Sequence, residues 1–184
     1  MRLFAAAAMA LPRGLPEALA RSARAELGAA ARPVDPDAMH LTLAFLGEVP
    51  PERAEAAGRC LGTLSGSGPF AAVPGEAGFF PSTDRPRIFW MGFGAGGGRL
   101  AELSAGFSAA LRREGFVLED RPFVPHLTLA RLRGPVPPEA ARRAAEAAEA
   151  LWRGKSFPVT GAVLFSSELS SAGPRYSELK RAEL

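Results

Sequence analysis

His40-Leu41-Thr42-Leu43-Ala44-Phe45-Leu46 and His126-Leu127-Thr128-Leu129-Ala130-Arg131-Leu132 are one motif written twice in a chain of 184 residues. The likeness continues downstream. Val49-Pro50-Pro51-Glu52 follows the first copy and Val136-Pro137-Pro138-Glu139 the second, each leading into an Ala/Arg-rich segment. A single extra residue before Val136 is the only offset between the copies. They lie nearly half a chain length apart, so the sequence predicts two structurally similar halves.

Each copy has the same grammar. Alternating aliphatic and β-branched residues suit a strand, and Val-Pro-Pro-Glu reads as a turn into a helix, with proline in the first turn and an acid at the positive end of the dipole. Helices are predicted over Leu15–Leu27, 51–64, 100–111 and 138–151, where apolar residues recur at three- and four-residue spacing. Further strands are predicted over 2–10, 70–79, 87–93, 116–119, 157–166 and 175–184. The expected class is α+β, a single domain over 1–184. It is bilobal, with two pseudo-twofold-related antiparallel sheets, helices outside and a central cleft.

Composition narrows the chemistry. With 22 Lys+Arg against 19 Asp+Glu, the net charge of +3 leans only weakly towards an anionic partner. One cysteine, Cys60, excludes an intrachain disulfide. Together with two histidines it leaves too few ligands for a Cys/His zinc site. Apolar runs stay below the roughly 20 residues a bilayer-spanning helix needs. Two local patterns point elsewhere. Residues 1–12 resemble a short secretory signal, but Pro12 and a helix follow at once, as after a buried first strand. Gly92-Phe93-Gly94-Ala95-Gly96-Gly97 fits a dinucleotide fingerprint, yet it lacks the βαβ alternation that motif needs and reads as a strand–helix loop.

Side chains alternate across a strand, so His40 and Thr42 share one face and Leu41 and Leu43 the other, with the same parity for His126 and Thr128. Each half then presents an imidazole and a hydroxyl about 7 Å apart. A lone strand histidine is ordinarily a surface or hydrogen-bonded structural residue. Here the chain's only two histidines occupy equivalent places in a duplicated motif. Displacement at phosphorus needs a base on the entering oxygen and an acid on the leaving one, and two imidazoles supply both near neutral pH. Threonine hydroxyls can donate to the non-bridging oxygens.

Paired H-x-T-x motifs in a chain of this size resemble the 2H phosphoesterases. Phe123-Val124-Pro125-His126-Leu127-Thr128-Leu129-Ala130-Arg131 and His40-Leu41-Thr42-Leu43-Ala44-Phe45-Leu46-Gly47 are similar to its RNA 2',3'-cyclic phosphodiesterase (2'-5' RNA ligase-like) branch. The resemblance implies hydrolysis of an RNA 2',3'-cyclic phosphate end to a 2'-phosphomonoester, and 2'-5' ligation. It implies no metal or other cofactor, RNA ends (tRNA halves among them) as partner, no membrane, and a cytoplasmic monomer. His40 and His126 would be catalytic, and Thr42, Thr128 and Arg131 would hold phosphate. Two other readings use the same residues: a cyclic phosphodiesterase for small nucleotides, and a non-catalytic RNA-binding module. By ideal parity Arg131 falls on the leucine face, so its reaching the cleft requires a bulge or strand end. Phe45 takes the matching place in the first copy. Phe45, Phe79, Phe80, Phe123 and Tyr176 are candidate rings for stacking on bases, and Arg85, Arg87 and Arg121 candidate cations.

Overall fold

Among the described residues four α-helices form where the sequence places apolar stripes. α1 (Leu15–Leu27) starts with a proline in its first turn, carries Glu17 there, and stops at Gly28 in a positive-φ conformation. Leu15, Leu19, Ala23 and Leu27 bury one face at four-residue spacing. α2 (Ala54–Gly62) follows a 3-10 turn at Pro51–Arg53, so the second Val-Pro-Pro-Glu starts an α-helix directly and the first does not. α3 (Gly97–Arg113) and α4 (Pro138–Trp152) complete the set. The computed structural model describes residues 1–170 and 173–184.

Among the described residues nine strands make two antiparallel sheets. β1 (Arg2–Met9), β3 (Thr42–Glu48), β4 (Phe70–Ala72), β8 (Phe157–Ser170) and β9 (Gly173–Glu183) form the first, in the order β3-β1-β8-β4 with β9 also on β8. β2 (Ala31–Pro33), β5 (Pro74–Phe80), β6 (Ile88–Phe93) and β7 (His126–Leu132) form the second, in the order β2-β7-β6-β5. The segment that resembles a signal is therefore β1, hydrogen-bonded on both sides, with Leu3 and Ala5 fully buried.

Two lobes are present, but they are not consecutive halves of the chain. α2 and α3 pack on the first sheet, with Leu61, Leu100, Phe107 and Leu111 against Leu3, Leu41 and Leu43. α1 and α4 pack on the second, with Leu19 and Ala144 against Leu127 and Leu129. In each repeat, then, the helix after the first central strand (α1 after β1, α3 after β6) crosses to the opposite lobe. The helix after the histidine strand stays on its own side. An amphipathic stripe shows that a helix is covered, not which sheet covers it.

Three strand expectations change. The 70–79 segment divides at Val73 into β4 and β5, because the chain passes there from one sheet to the other. Val73 N–H donates to Ala95 C=O, and Gly94 N–H donates to Val73 C=O. The 116–119 segment is not a strand. Phe116 is buried, but Val117 is 93% exposed, and among the described residues no strand pairs with the segment. Apolar alternation without a hydrogen-bonding neighbour leaves extended coil. β2, too short to show a period, adds an edge to β7. The glycine-rich loop is used for packing: a Cβ on Gly96, which has φ 82, would meet the Ala71 carbonyl.

Candidate active site

The leucine faces of β3 and β7 anchor the two motifs: Leu41, Leu43, Leu127 and Leu129 are all at most 2% exposed. Thr42 and Thr128 consequently face the other way, into a cleft of about 950 Å³ between the lobes. The register explains Arg131. Trp90 on β6 faces Thr128 while its neighbour Phe89 faces Ala130, so Leu129 is an extra residue without a partner. This bulge returns Arg131 to the face of Thr128. β3 has the same device: Ala6 faces Thr42 and Ala5 faces Ala44, which leaves Leu43 extra and brings Phe45 round to the cleft.

Each histidine stands at the start of its motif, His126 as the first residue of β7 and His40 just ahead of β3. Each ring is tied by Nδ1 to the carbonyl two residues before it, His40 to Ala38 (2.8 Å) and His126 to Val124 (2.7 Å). A carbonyl only accepts, so Nδ1 carries a proton in both rings. Nε2 is left to take or give one. The rings also have aromatic neighbours. Phe4 stacks on His40 at 4.7 Å and Tyr176 meets it edge-on at 5.2 Å. Phe80 meets His126 edge-on at 5.1 Å and stacks on Trp90 at 4.8 Å. The Trp90 indole lies over Gly78 and Gly92, where any Cβ would collide with it.

Both histidines titrate below the ordinary imidazole value. For His40 the main cause is burial, and the charges of Arg131 and His126 add to it against the opposing pull of the Ala38 carbonyl. For His126 burial again leads, opposed by the Val124 carbonyl and assisted by Arg121. If one ring must be neutral and the other protonated, the productive state of the free protein peaks between two lowered values. The kcat/KM profile for a cyclic phosphodiester, which does not itself titrate there, is therefore expected to be a bell with its maximum below about pH 6.5. An anionic substrate stabilises imidazolium, so the kcat profile shifts upward in pH. Rates across pH 4.5–8.5 check both, and a maximum of kcat/KM above about pH 7 contradicts the assignment.

His40, Thr42, Phe45, His126, Thr128, Arg131 and Tyr176 all line this one cleft. Phe80 packs on His126 without lining it. Phe123 does not reach the cleft: it packs against the first-lobe core. Phe79 stacks on Phe89 in the second-lobe core, since adjacent strand residues face opposite ways. Arg121 pairs with Glu119 at 2.8 Å outside it, and Arg85 and Arg87 are not among its lining residues. Phe4, Arg2, Arg32 and Arg175 line the cleft with no motif to announce them. Parity was the available signal for Arg2 and Phe4, which share a face of β1. Arg2 lies 4.8 Å over the Phe45 ring.

Comparison with known proteins agrees with this fold. An RNA 2',3'-cyclic phosphodiesterase of Thermus thermophilus is 38% identical over 160 residues, covering 83% of this chain and 75% of that protein. One from Escherichia coli is 33% identical over 155 residues, covering 83% and 79%. The crystal structure of E. coli LigT complexed with 3'-AMP superposes with a TM-score of 0.76 at 31% identity, over 100% of this chain and 97% of that one. Residues 10–90 and 95–176 each match the LigT-like phosphoesterase family, one match per repeat. The duplicated strand, the two lobes and these relatives lead to one conclusion: the chain belongs to the LigT-like family of 2H phosphoesterases.

Proposed function

We propose that this protein hydrolyses the 2',3'-cyclic phosphate at an RNA 3' end to a 2'-phosphomonoester, with His40 and His126 as the acid–base pair. The observation that carries the proposal is the matched tethering of the two rings. Each is held through Nδ1 by a carbonyl two residues upstream, and they enter one cleft from opposite lobes. The names of the relatives support the substrate.

In this mechanism a water molecule approaches phosphorus in line with the P–O3' bond. Nε2 of one histidine takes the water proton as the P–O bond forms. Nε2–H of the other gives its proton to O3' as the P–O3' bond breaks. Phosphate stays on O2', and the two rings finish with exchanged protonation states. Thr42, Thr128 and Arg131 hold the non-bridging oxygens, whose charge is spread through the transition state. A 5'-hydroxyl in the place of water would leave a 2'-5' linkage by the same steps. Among the described residues no three His, Cys, Asp or Glu side chains converge as metal ligands, and four arginines, Arg2, Arg32, Arg131 and Arg175, line the cleft beside Asp35 and Asp37.

The test is an oligoribonucleotide ending in 2',3'-cyclic phosphate, incubated with the purified protein in EDTA. The expected product is heavier by one water and carries its phosphate on O2', as read by a position-specific phosphatase. Loss of activity in EDTA overturns the metal-free mechanism. Binding without turnover leaves an RNA-binding module, and turnover of mononucleotides alone a small-nucleotide enzyme.

A further inference from the structure

Six arginines of this surface stand beside a glutamate. Arg59, Arg99, Arg121, Arg142, Arg143 and Arg181 all lie within ion-pair distance of a glutamate. The arginines of the cleft are not among them. Among the described residues Arg32, Arg131 and Arg175 make no ion pair, although Asp35 and Asp37 line the same space. The Asp35 carboxylate instead accepts the Asp37 N–H at 3.0 Å.

Two of these cations are direct neighbours across a ladder. In the β2–β7 ladder Arg32 is directly opposite Arg131, so their side chains leave the sheet on one face, at a cross-strand distance where like charges repel. A protein gains nothing from that contact unless an anion joins it. One phosphate already has Arg131 and both threonines. The cleft, about 950 Å³, lies near the upper end of the ~300–1,000 Å³ range of small-ligand sites, which leaves room beside the reacting phosphate.

We propose that Arg32 forms a second phosphate subsite, which binds the phosphoryl group on O5' of the nucleotide that carries the cyclic phosphate. The inference rests on the function proposed above and adds to it a requirement on the substrate. Such a group is the upstream diester of an RNA strand or the 5'-phosphate of a free nucleotide. Arg131 and Arg32, side by side on neighbouring strands, then engage successive phosphates. Arg32 touches no reacting atom and acts through binding.

Three substrates test this: adenosine 2',3'-cyclic phosphate, its 5'-phosphorylated form, and the dinucleotide ApA ending in 2',3'-cyclic phosphate. For Arg32→Ala, kcat/KM on the two 5'-substituted substrates is expected to fall about tenfold, the loss of one exposed charge-assisted contact. Turnover of the unsubstituted one stays within about twofold, and Arg32→Lys recovers part of the loss. Equal loss on both substituted substrates identifies the phosphoryl group itself as the ligand; loss on the dinucleotide alone identifies the RNA diester. The salt dependence of dinucleotide binding should also flatten by roughly 0.7 in log–log slope, one counterion on a single strand. Thermal unfolding of Arg32→Ala should not be lowered, since the substitution relieves a repulsion. An equal loss on all three substrates, or on none, overturns the proposal. If the protein turns over no cyclic phosphate, the function proposed above fails while this inference is still read by calorimetry. Arg32→Ala should then weaken ApA 2'-phosphate about tenfold and leave adenosine 2'-phosphate unchanged, and an unchanged dinucleotide affinity overturns it.

Discussion

Replacing His40 or His126 by alanine is expected to lower kcat on a cyclic-phosphate RNA end by about 10²–10⁴-fold, the usual contribution of a positioned proton donor or acceptor. The loss should be of similar size at either position. The rings are held alike, by Ala38 and Val124 carbonyls and by flanking aromatics. Both histidines are half-buried at the cleft, so the unfolding temperature should fall only modestly as their ring contacts are lost. KM should also move little, because the phosphate keeps Arg131 and the threonines. The double variant should be barely slower than the worse single one, since groups that act as a unit do not add. Near-normal kcat in either single variant contradicts the paired mechanism. Steady-state rates on one oligonucleotide are sufficient to show it.

The second large effect is expected at the threonines. Thr42→Val and Thr128→Val keep the shape of the side chain and remove only the hydroxyl. Each should cost about 10²–10³-fold in kcat, comparable to loss of one oxyanion donor. Among the described residues neither hydroxyl is committed to a protein partner, so both are available to substrate. The two losses should differ in character. Thr128 shares its face with Arg131, whereas Thr42 shares its face with Phe45. A non-bridging oxygen held by Thr128 therefore keeps the neighbouring Arg131 guanidinium when that hydroxyl is lost, whereas one held by Thr42 has no such cation on its own strand, and Thr42→Val should raise KM more. Equal rises in KM with unchanged kcat in both variants would make the threonines binding groups only.

Much of the site follows from period-two alternation. The burial of Leu41, Leu43, Leu127 and Leu129 fixes where His40, Thr42, His126 and Thr128 go, and alternation is visible in a string of letters. Arg131 and Phe45 were not fixed that way. Their direction depends on bulges at Leu129 and Leu43, and a bulge is a relation between two strands. Both repeats carry it after the same threonine, so the duplication itself was the available clue. The crossing of α1 and α3 was hidden for a related reason. Their stripes predict burial, while the choice of sheet is made by tertiary packing. Arg32 was silent because β2 is three residues long, too short for any period. The 116–119 segment shows the converse, with the pattern of a strand and no edge to join.

Leaving-group substitution tests the central claim, that His40 and His126 divide the work of base and acid, most directly. A substrate with sulfur in place of O3' expels a thiolate, which needs no proton from the protein. We expect one of the two alanine variants to recover most of its lost rate on this substrate and the other to remain as slow as before. That result would assign the acid to the recovered position and the base to the other. Recovery of both variants, or of neither, would contradict the division.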